Sequence, residues 1–385
     1  MLNKIAIKGL FGKFDYEIEL KEGGLTVLTG PNGYGKTTIL NIIDAIANKN
    51  LPFFFQFPFI EIVFFRKGTE AIHLKKEHDI LAIQRGDKEV SSIGEEELKN
   101  AKSVTYEDFI SDFIDIYLIP EQRLFKKTTT TEKGLTFDGF FIERRQERLS
   151  NTIEEYADQL SSKIKEVLSD SSKIGQELDS SFPERLFEQD KPISKEDFDK
   201  RYNRFREKRK SLSSYSLSTV KEERHTFFQP ENAKALLVYL DDTEKKLAVF
   251  DDILQRLDIF SSILNKRQFV SKAIEISPDF GFRFKTENGE GLPLRVLSSG
   301  EQHEVVLLYE LLFKVAPDTL VLIDEPEISL HVAWQKEFLD DLLKIIELRK
   351  ITALVATHSP QIIKGRWDLV VDLWDLATNS GGSPE

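Results

Sequence analysis

Hydrophobic and polar positions change their period several times along the first third of the chain, and each change marks a predicted element. Apolar residues at helical spacing, from Ile39 to Ile46, predict a helix over 38–48. Short apolar or alternating runs predict strands. These strands are expected at 4–7, 16–20, 25–29, 59–65, 69–75, 80–84 and 115–119.

The middle of the chain, from about residue 140 to 267, is charged and has a helical period. Ser194 is predicted to cap a short helix that carries Phe198, Tyr202 and Phe205 on one stripe, and 211–219 is predicted to be a polar loop. Before this helix, apolar residues recur every seven positions at Ile153, Leu160, Val167 and Ile174. After it, they alternate steps of four and three, which predicts a coiled coil or an antiparallel helical hairpin. This seam consists of Leu236, Leu240, Thr243, Leu247, Phe250, Leu254 and Leu257.

The last third of the chain returns to strands. A helix is expected to begin at 297–302. For the whole chain we predict an α/β fold, in which a long helical insertion interrupts a mixed sheet and an antiparallel β subdomain. The predicted domains are 1–139 and 269–385, which together form one head, and the insertion at 140–268. The strands of this part are expected at 272–276, 280–285, 292–294, 320–323, 351–356 and 368–373.

A phosphate-binding motif follows the strand at 25–29. The stretch Gly30-Pro31-Asn32-Gly33-Tyr34-Gly35-Lys36-Thr37 has two glycines in the required spacing before Lys and Thr, which is the P-loop pattern. Its glycines let backbone amides face phosphates, Lys36 is suited to the β and γ oxygens, and the Thr37 hydroxyl is suited to Mg²⁺. The helix N-terminus behind the loop favours an anion. The sequence therefore predicts ATP binding by Asn32, Gly33, Gly35, Lys36, Thr37 and Thr38.

Composition narrows the class of protein. The chain has 385 residues with 40% hydrophobic content, enough for a substantial core, and no cysteine, which excludes disulfides, thiolate metal sites and a cysteine nucleophile. We expect a cytoplasmic protein, because the N-terminus has no signal-peptide pattern and the most apolar window, 51–65, is too short to span a membrane. The net charge of −12 argues against binding nucleic acid over the whole surface but allows a local basic stripe.

Three further groups of residues indicate phosphate chemistry. Asp324 and Glu325 end an apolar strand, where Asp324 can hold Mg²⁺ through water and Glu325 can act as general base; the alternative is a strand that runs into an acidic turn. His358 follows the strand at 351–356, at the strand end where ligands of open α/β sheets bind, and is predicted to contact the γ-phosphate. Ser298, Ser299 and Gly300 open a helix and can form an anion site, or Ser298 can be a simple cap.

Together these motifs resemble the ABC-type P-loop ATPase heads of the RecF, SMC and Rad50 group. Within that group they are similar to the OLD (overcoming lysogenisation defect) family and its relatives in bacterial anti-phage systems. The resemblance implies an ATPase that uses ATP and Mg²⁺. It is carried by 30–37, Gln122, 297–302, 324–327 with Leu330 and His331, and Thr357 with His358.

The resemblance implies more specific roles. Gln122 matches the Q-loop glutamine that senses Mg²⁺ and the γ-phosphate, and is expected beside the metal with Thr37 and Asp324. Ser298 to Gly300 match the signature motif, which closes over ATP held by the opposite subunit and implies a homo-oligomer of at least two chains, while 328–331 falls at the D-loop. The run 299–302 and the long stretch between the Q-loop and signature positions depart from transporter ATPases and argue against a transporter subunit.

The expected partners depend on which members of the OLD family the chain resembles. OLD nucleases carry a Toprim domain after the head, and too few residues follow His358 here for such a domain. The chain therefore resembles the stand-alone ATPase subunit of two-component anti-phage systems of the PARIS or Septu type. That resemblance implies a separate effector nuclease of the Toprim or HNH type and a phage protein as trigger. The alternative is a RecF- or SMC-like DNA repair ATPase, and direct DNA binding stays open.

Three other features have competing interpretations. The run 200–210 holds seven basic residues and one acid, and is either a solvated helix face or a track for a phosphate backbone. The Phe-rich stretch 53–57 is either buried or a docking surface, and burial is favoured. His73 and His78 have no third ligand nearby in the sequence, so we expect surface residues rather than a metal site.

Overall fold

The computed structural model describes residues 1–87, 90–95, 113–135, 141–218, 228–267, 272–328 and 330–379, with the backbone alone at 125–135 and 141–150. The chain divides into two compact units: the head unit, Met1–Arg123 with Glu310–Glu385, and the arm unit, Leu124–Tyr309. The domain boundaries predicted at 139/140 and 268/269 fall on residues outside the described ranges, so they stay predictions.

One sheet of the head unit has six strands in the order β2-β1-β4-β5-β6-β7, and every neighbouring pair in it is antiparallel. Alternating burial along β1 and β2 shows that one face of this sheet packs on the core while the other is exposed. The antiparallel β subdomain predicted from sequence is confirmed. Its strands are β1 (Leu2–Leu10), β2 (Phe14–Glu19), β4 (Glu61–Arg66), β5 (Thr69–Glu77), β6 (Ile80–Arg85) and β7 (Ser91–Gly94).

The second sheet of the head unit is parallel, with the order β16-β3-β15-β14-β8. Its central strands are buried throughout, as their continuous apolar runs predicted. The carboxyl ends of parallel strands meet at one edge, so the residues that follow them come together there. The strands are β3 (Leu25–Thr29), β8 (Ile116–Ile119), β14 (Leu320–Asp324), β15 (Thr352–Ala356) and β16 (Val370–Asp372).

The helices of the head unit cover the two sheets. A core cluster unites residues of both sheets with the early helix and the Phe-rich stretch, in which Phe54 and Phe57 are buried. Burial of that stretch is thereby confirmed. The helices are α1 (Lys36–Ala47), α7 (Val332–Gln335), α8 (Phe338–Arg349), α9 (Pro360–Ile363) and α10 (Leu373–Asn379), with 3-10 turns at Leu51–Phe55 and Trp367–Leu369 and a π-helical turn at Glu310–Lys314.

The arm unit opens with a hairpin that the sequence analysis missed. Strands β9 (Phe125–Leu135) and β10 (Phe141–Asn151) pair antiparallel over their full lengths, whereas mainly helical structure was expected from about residue 140. The helix begins only at Thr152 because Asn151 caps it, its side chain accepting a hydrogen bond from the Ile153 amide at 3.3 Å. The expectation of helix for 141–151 was wrong.

Four long helices of the arm unit confirm the helical insertion. All seven residues of the predicted seam are buried, and only Val249 and Phe250, both in helical conformation, separate its two helices. The helix that precedes them continues to Ser214, so the predicted loop at 211–219 was wrong up to that residue; Thr219 lies outside the described ranges. That extension buries Leu212. The helices are α2 (Thr152–Glu188), α3 (Lys195–Ser214), α4 (Ala233–Ala248) and α5 (Asp251–Lys266), with a 3-10 turn at Pro230–Asn232.

A three-stranded antiparallel sheet and one more helix complete the arm unit. Helix α2 packs against the second strand of this sheet and against α4. The predicted strand at 292–294 is shorter than expected, because Pro293 has no amide to donate and the chain turns into a 3-10 helix at Leu294–Val296. The elements are β11 (Lys272–Ser277), β12 (Gly281–Thr286), β13 (Gly291–Leu292) and α6 (Ser299–Tyr309).

Among the described residues, no helix is both long enough and apolar enough to cross a membrane.

Candidate functional site

The loop between β3 and α1 has the backbone that its glycines allow. Gly30, Gly33 and Gly35 all have positive φ, and α1 begins at Lys36 directly after the last of them. A side chain at Gly35 would be strained, because its φ is 86°, and a Cβ atom there would also be tight against Leu10 Cδ2 at 3.0 Å. Within the loop Asn32 and Gly33 are exposed, while Thr38 is half-buried in the first turn of α1.

Lys36 lies at the centre of this edge. Its side chain is 5% exposed, and the ammonium donates to the Gly30 and Pro31 carbonyls at 2.9 and 3.3 Å and to His358 Nδ1 at 3.2 Å. Burial lowers its pKa, although the charges of Glu325 and Asp324 act in the opposite direction. The ammonium is therefore held by weak backbone acceptors, which phosphate oxygens of a bound nucleotide can replace.

Asp324 and Thr37 face each other across the same edge. The Thr37 hydroxyl donates to Asp324 Oδ1 at 3.2 Å, and Asp324 is 7% exposed. Burial raises the pKa of the Asp324 carboxyl, and the neighbouring charges of Glu325 and Glu121 add to that effect against the Thr37 hydrogen bond. A buried carboxylate beside a hydroxyl is an oxygen donor set that suits Mg²⁺, which would relieve the cost of the buried charge.

Glu325 and His358 complete the network. His358 Nε2 lies 3.2 Å from Glu325 Oε1, while its Nδ1 faces the Lys36 ammonium. Because an ammonium only donates, Nδ1 must accept, and a neutral imidazole then carries its proton on Nε2, the nitrogen that faces Glu325. Glu325 has a φ of 41°, in the left-handed region, and its amide donates to the Ala356 carbonyl at 2.9 Å. This strained backbone places its carboxylate next to His358.

The sequence analysis assigned no role to Glu327. Its Oε1 accepts hydrogen bonds from the Thr357 hydroxyl and from the amides of His358 and Ser359. Its acidic type two residues after Glu325 was the only signal in the sequence, and that signal does not reveal a contact with residues thirty positions away.

Three further residues have sequence-based predictions: Gln122 was predicted at the site, and His73 and His78 at the surface. Gln122 is exposed in the segment after β8, and its neighbour Glu121 is near enough to influence Asp324. His73 Nδ1 lies 3.3 Å from Glu61 Oε1, and His78 is exposed in a turn. In the described part of the chain, no group of three or more His, Asp or Glu side chains could hold a metal ion.

Ser298, Ser299 and Gly300 belong to the arm unit, where they open α6. Ser298 and Glu301 form a capping box: Glu301 Oε2 accepts from the Ser298 amide at 2.7 Å, and the Glu301 amide donates back to the Ser298 hydroxyl at 3.3 Å. Lys272 donates to both Glu301 oxygens, and with Ser298 it outweighs burial and holds the pKa of Glu301 below its usual value. Ser298 and Ser299 are exposed and Gly300 is buried. The cap interpretation of Ser298 is therefore confirmed, and Ser299 is open to solvent.

Comparison with known proteins gives matches of different extent. The AAA_15 family, described as an AAA ATPase domain, matches residues 1–363. Protein ea59 of Escherichia phage lambda is 35% identical over 68 residues, which cover 18% of this chain and 13% of that protein's length.

Two solved structures are similar at low identity. The Smc head domain with an extended coiled coil bound to the C-terminal domain of ScpA, from Pyrococcus furiosus, is 16% identical, with a TM-score of 0.41 over 96% of this chain and 92% of that one. The SMC head domain from Thermotoga maritima is 16% identical, with a TM-score of 0.34 over 94% of this chain and 91% of that one.

Proposed function

The chain belongs to the AAA_15 family of AAA ATPase domains, and we propose that it hydrolyses ATP at the edge formed by Lys36, Thr37, Asp324, Glu325 and His358. The observation that carries this proposal is one set of close polar contacts, each at 3.2 Å, that joins the P-loop to the ends of β14 and β15. These side chains come from three separate stretches of sequence and meet at the carboxyl edge of a parallel sheet, where such folds bind ligands.

Each side chain has a task that its surroundings favour. Lys36 donates to the phosphates in place of its present carbonyl partners, and Glu325 accepts the proton of the attacking water as general base. His358 Nε2 lies 3.2 Å from Glu325 Oε1, close enough to influence the position of that carboxylate. Thr37 and Asp324 would hold Mg²⁺, with Gln122 the proposed third group from the resemblance, and the bound ion would neutralise charge on the phosphates.

Phosphate release tests the activity directly. Glu325→Gln removes the base with little change in shape, and we expect ATP turnover to fall by about 10²- to 10⁴-fold while nucleotide binding remains. Glu347→Gln on α8 is the matched control, because Glu347 is exposed, and it should match the wild type. Equal turnover by both variants would show that Glu325 is not the base.

We further propose that the ATP site is completed by a second copy of the chain. Support comes from Ser299, which is exposed at the start of α6 and can contact a phosphate from outside its own chain. Light scattering of the Glu325→Gln protein should show a dimer with ATP and a monomer without it. Adding Ser299→Arg should abolish the dimer, whereas Ser213→Arg, at an exposed position of α3, should not.

Mixing two inactive chains tests the shared site more sharply. Lys36→Ala disables the P-loop side and Ser299→Arg the opposite side, so a mixed dimer keeps one intact site. Because each mixed dimer keeps one of its two sites, mixing equal amounts should restore turnover to at most about half of the wild-type value. If each variant retains activity alone, or if mixing restores none, the site is not shared between copies.

The resemblance to two-component anti-phage systems supports a finer proposal, that the ATPase oligomer controls a separate effector nuclease. Expression with the neighbouring gene should reduce phage plating, and Glu325→Gln should abolish that protection. Plating that is unchanged by both genes would exclude the defence role without bearing on ATP hydrolysis.

A second candidate, a DNA repair ATPase, is favoured by exposed basic residues of α3. Arg201 and Lys208 are paired with acids of α4 and α5, whereas Arg204, Arg206 and Lys210 are exposed. Three exposed cations on one helix are suited to a phosphate backbone. Binding of duplex DNA that weakens with salt and disappears when these three become Glu would favour this candidate over the defence role.

A further inference from the structure

We propose that Glu327 is a positioning residue, which sets the location and tautomer of His358 by binding the backbone around it. This inference rests on the proposed ATPase function only for its kinetic consequences, because the contacts themselves lie within the described head unit. The Glu327 side chain makes no hydrogen bond to Lys36 or to Glu325, so it would act through another residue.

Three donors converge on one oxygen of Glu327. Its Oε1 accepts from the Thr357 hydroxyl at 2.7 Å, from the His358 amide at 2.7 Å and from the Ser359 amide at 3.1 Å. Thr357 is fully buried, so its hydroxyl has no solvent to bind instead. An ionised carboxylate accepts such donors more strongly than a neutral group does, and it fixes three consecutive residues against the segment that follows Glu325.

The other oxygen suggests a conservative replacement. Glu327 Oε2 is buried and accepts no hydrogen bond within the part of the chain that the structure describes. Glutamine can keep its carbonyl at the Oε1 position, so it retains the acceptor but loses the charge and places amide donors where Oε2 lies. Alanine removes the acceptor, so the Thr357 hydroxyl and the His358 amide lose their partner, while the Ser359 amide keeps its bond to Thr357 Oγ1 at 2.9 Å.

Gln335 fastens the same two segments a second time. Its Oε1 accepts from the Ser359 hydroxyl at 2.7 Å, and its Nε2 donates to the Leu330 carbonyl at 3.1 Å and, more weakly, to the Glu327 carbonyl at 3.4 Å. The residue after His358 is thus held from both its amide and its hydroxyl. With its backbone held in this way, His358 can place its two ring nitrogens 3.2 Å from Lys36 and 3.2 Å from Glu325 at the same time.

The test uses the full chain and measures kcat and KM for ATP. Glu327→Ala should lower kcat by about 10- to 100-fold, since small displacements of a catalytic group have effects of that size, with KM changed less than about threefold. Glu327→Gln should recover most of that loss. The control Glu347→Ala, at an exposed position of α8, should match the wild type.

A double-mutant cycle separates positioning from a general structural effect. If Glu327 acts through His358, the double variant Glu327→Ala/His358→Ala should turn over within about threefold of His358→Ala alone. A full additional loss in the double variant would overturn the proposal. Should Glu327→Ala fail to fold, Thr357→Val removes one donor at constant shape and should show a smaller loss that also vanishes beside His358→Ala.

A spectroscopic measurement needs no activity. In ¹⁵N-histidine-labelled protein, the ring signals of His358, assigned by their absence in His358→Ala, should show the Nε2–H tautomer in the wild type and in Glu327→Gln. They should shift toward a mixture in Glu327→Ala, and unchanged signals there would refute the proposal. Failure of ATP turnover in the wild type would refute the proposed function and leave this result standing.

Discussion

Replacing Gly281 by alanine tests how closely α2 packs on β12 in the arm unit. Gly281 has a φ of 70°, and a Cβ atom there would lie 1.8 Å from the Ala157 carbonyl oxygen, 2.7 Å from its carbon and 3.0 Å from the Ser161 amide nitrogen. All three are backbone atoms of α2, so no side-chain rotation can relieve the contact. The helix and the strand must move apart.

The cost of the substitution has three parts. Left-handed backbone at a non-glycine residue costs about 1–2 kcal/mol, and forced separation of packed elements costs about 1–3 kcal/mol more. The displacement also strains the bond that the Ser161 hydroxyl donates to the Pro278 carbonyl at 2.5 Å, a contribution of about 1 kcal/mol. We therefore expect Gly281→Ala to lose about 3–6 kcal/mol of unfolding free energy, the sum of these magnitudes.

Gly289→Ala supplies the matched control. Gly289 has a φ of 81°, but a Cβ atom there meets nothing within 4 Å, so only the backbone strain of about 1–2 kcal/mol applies. Urea unfolding followed by circular dichroism at 222 nm reports the arm helices. Tryptophan fluorescence reports the head unit, because all three tryptophans of the chain lie there.

The comparison of the two variants decides the matter. If Gly281→Ala and Gly289→Ala shift the dichroism transition equally, within about 0.5 kcal/mol, the close approach of α2 to β12 is not real. A loss of stability in Gly289→Ala alone would likewise contradict the close packing of α2 on β12.

Three other substitutions test buried charges. Arg267 donates to Glu304 at 3.0 Å, and both side chains are almost fully buried. Arg267→Met should therefore lower the unfolding free energy by about 3–5 kcal/mol in urea unfolding, because it leaves a buried carboxylate unpaired, and adding Glu304→Leu should recover at least half of that loss. No recovery in the double variant would contradict this explanation. Lys76 donates to the carbonyls of residues 54, 55 and 57 at 2.9–3.2 Å. Lys76→Met should therefore lower the unfolding free energy by about 1.5–3 kcal/mol in thermal unfolding, whereas Lys75→Met, at an exposed position, should lower it by less than about 1 kcal/mol. Equal losses would show that the carbonyl contacts do not contribute to stability. Burial raises the pKa of Asp324 above its ordinary 3.8, so the stability of its protonated form is fully present below that value and is lost as pH rises through the folded-state pKa. Asp324→Asn should therefore melt higher than the nucleotide-free wild type at about pH 7.5 but not at about pH 3.5, and a difference that does not change with pH would refute this cause.

Most strands and the P-loop of the head unit could be predicted from local sequence patterns. The strands β3 and β14 are continuous apolar runs, and the glycines and lysine between β3 and α1 have one recognised use. These features depend on neighbours in sequence, so they can be recognised without knowing the fold. The hairpin β9–β10 could not, because its eleven register pairs join residues up to 26 positions apart, from Phe141↔Leu135 to Asn151↔Phe125, and its charged and threonine-rich runs have no clear alternation.

Glu327 illustrates the other limit of sequence patterns. Its function depends on Thr357, thirty positions later, and on the turn that brings the end of β15 beside the segment after β14. A carboxylate next to two other carboxylates is typical of a metal site, and nothing in the sequence indicates that this one instead binds backbone amides. The hydrogen bonds become visible only when both segments are placed in space.

The order of the parallel strands explains why His358 lies where it does. Strand β15 lies between β3 and β14, so the residues that follow these three strands are arranged with His358 between Lys36 and Glu325. An imidazole has two nitrogens on opposite sides, and it is the side chain that can bind both at once, at 3.2 Å on each side. The crossover of the chain from β14 to β15 therefore places His358 between the segments that carry Lys36 and Glu325.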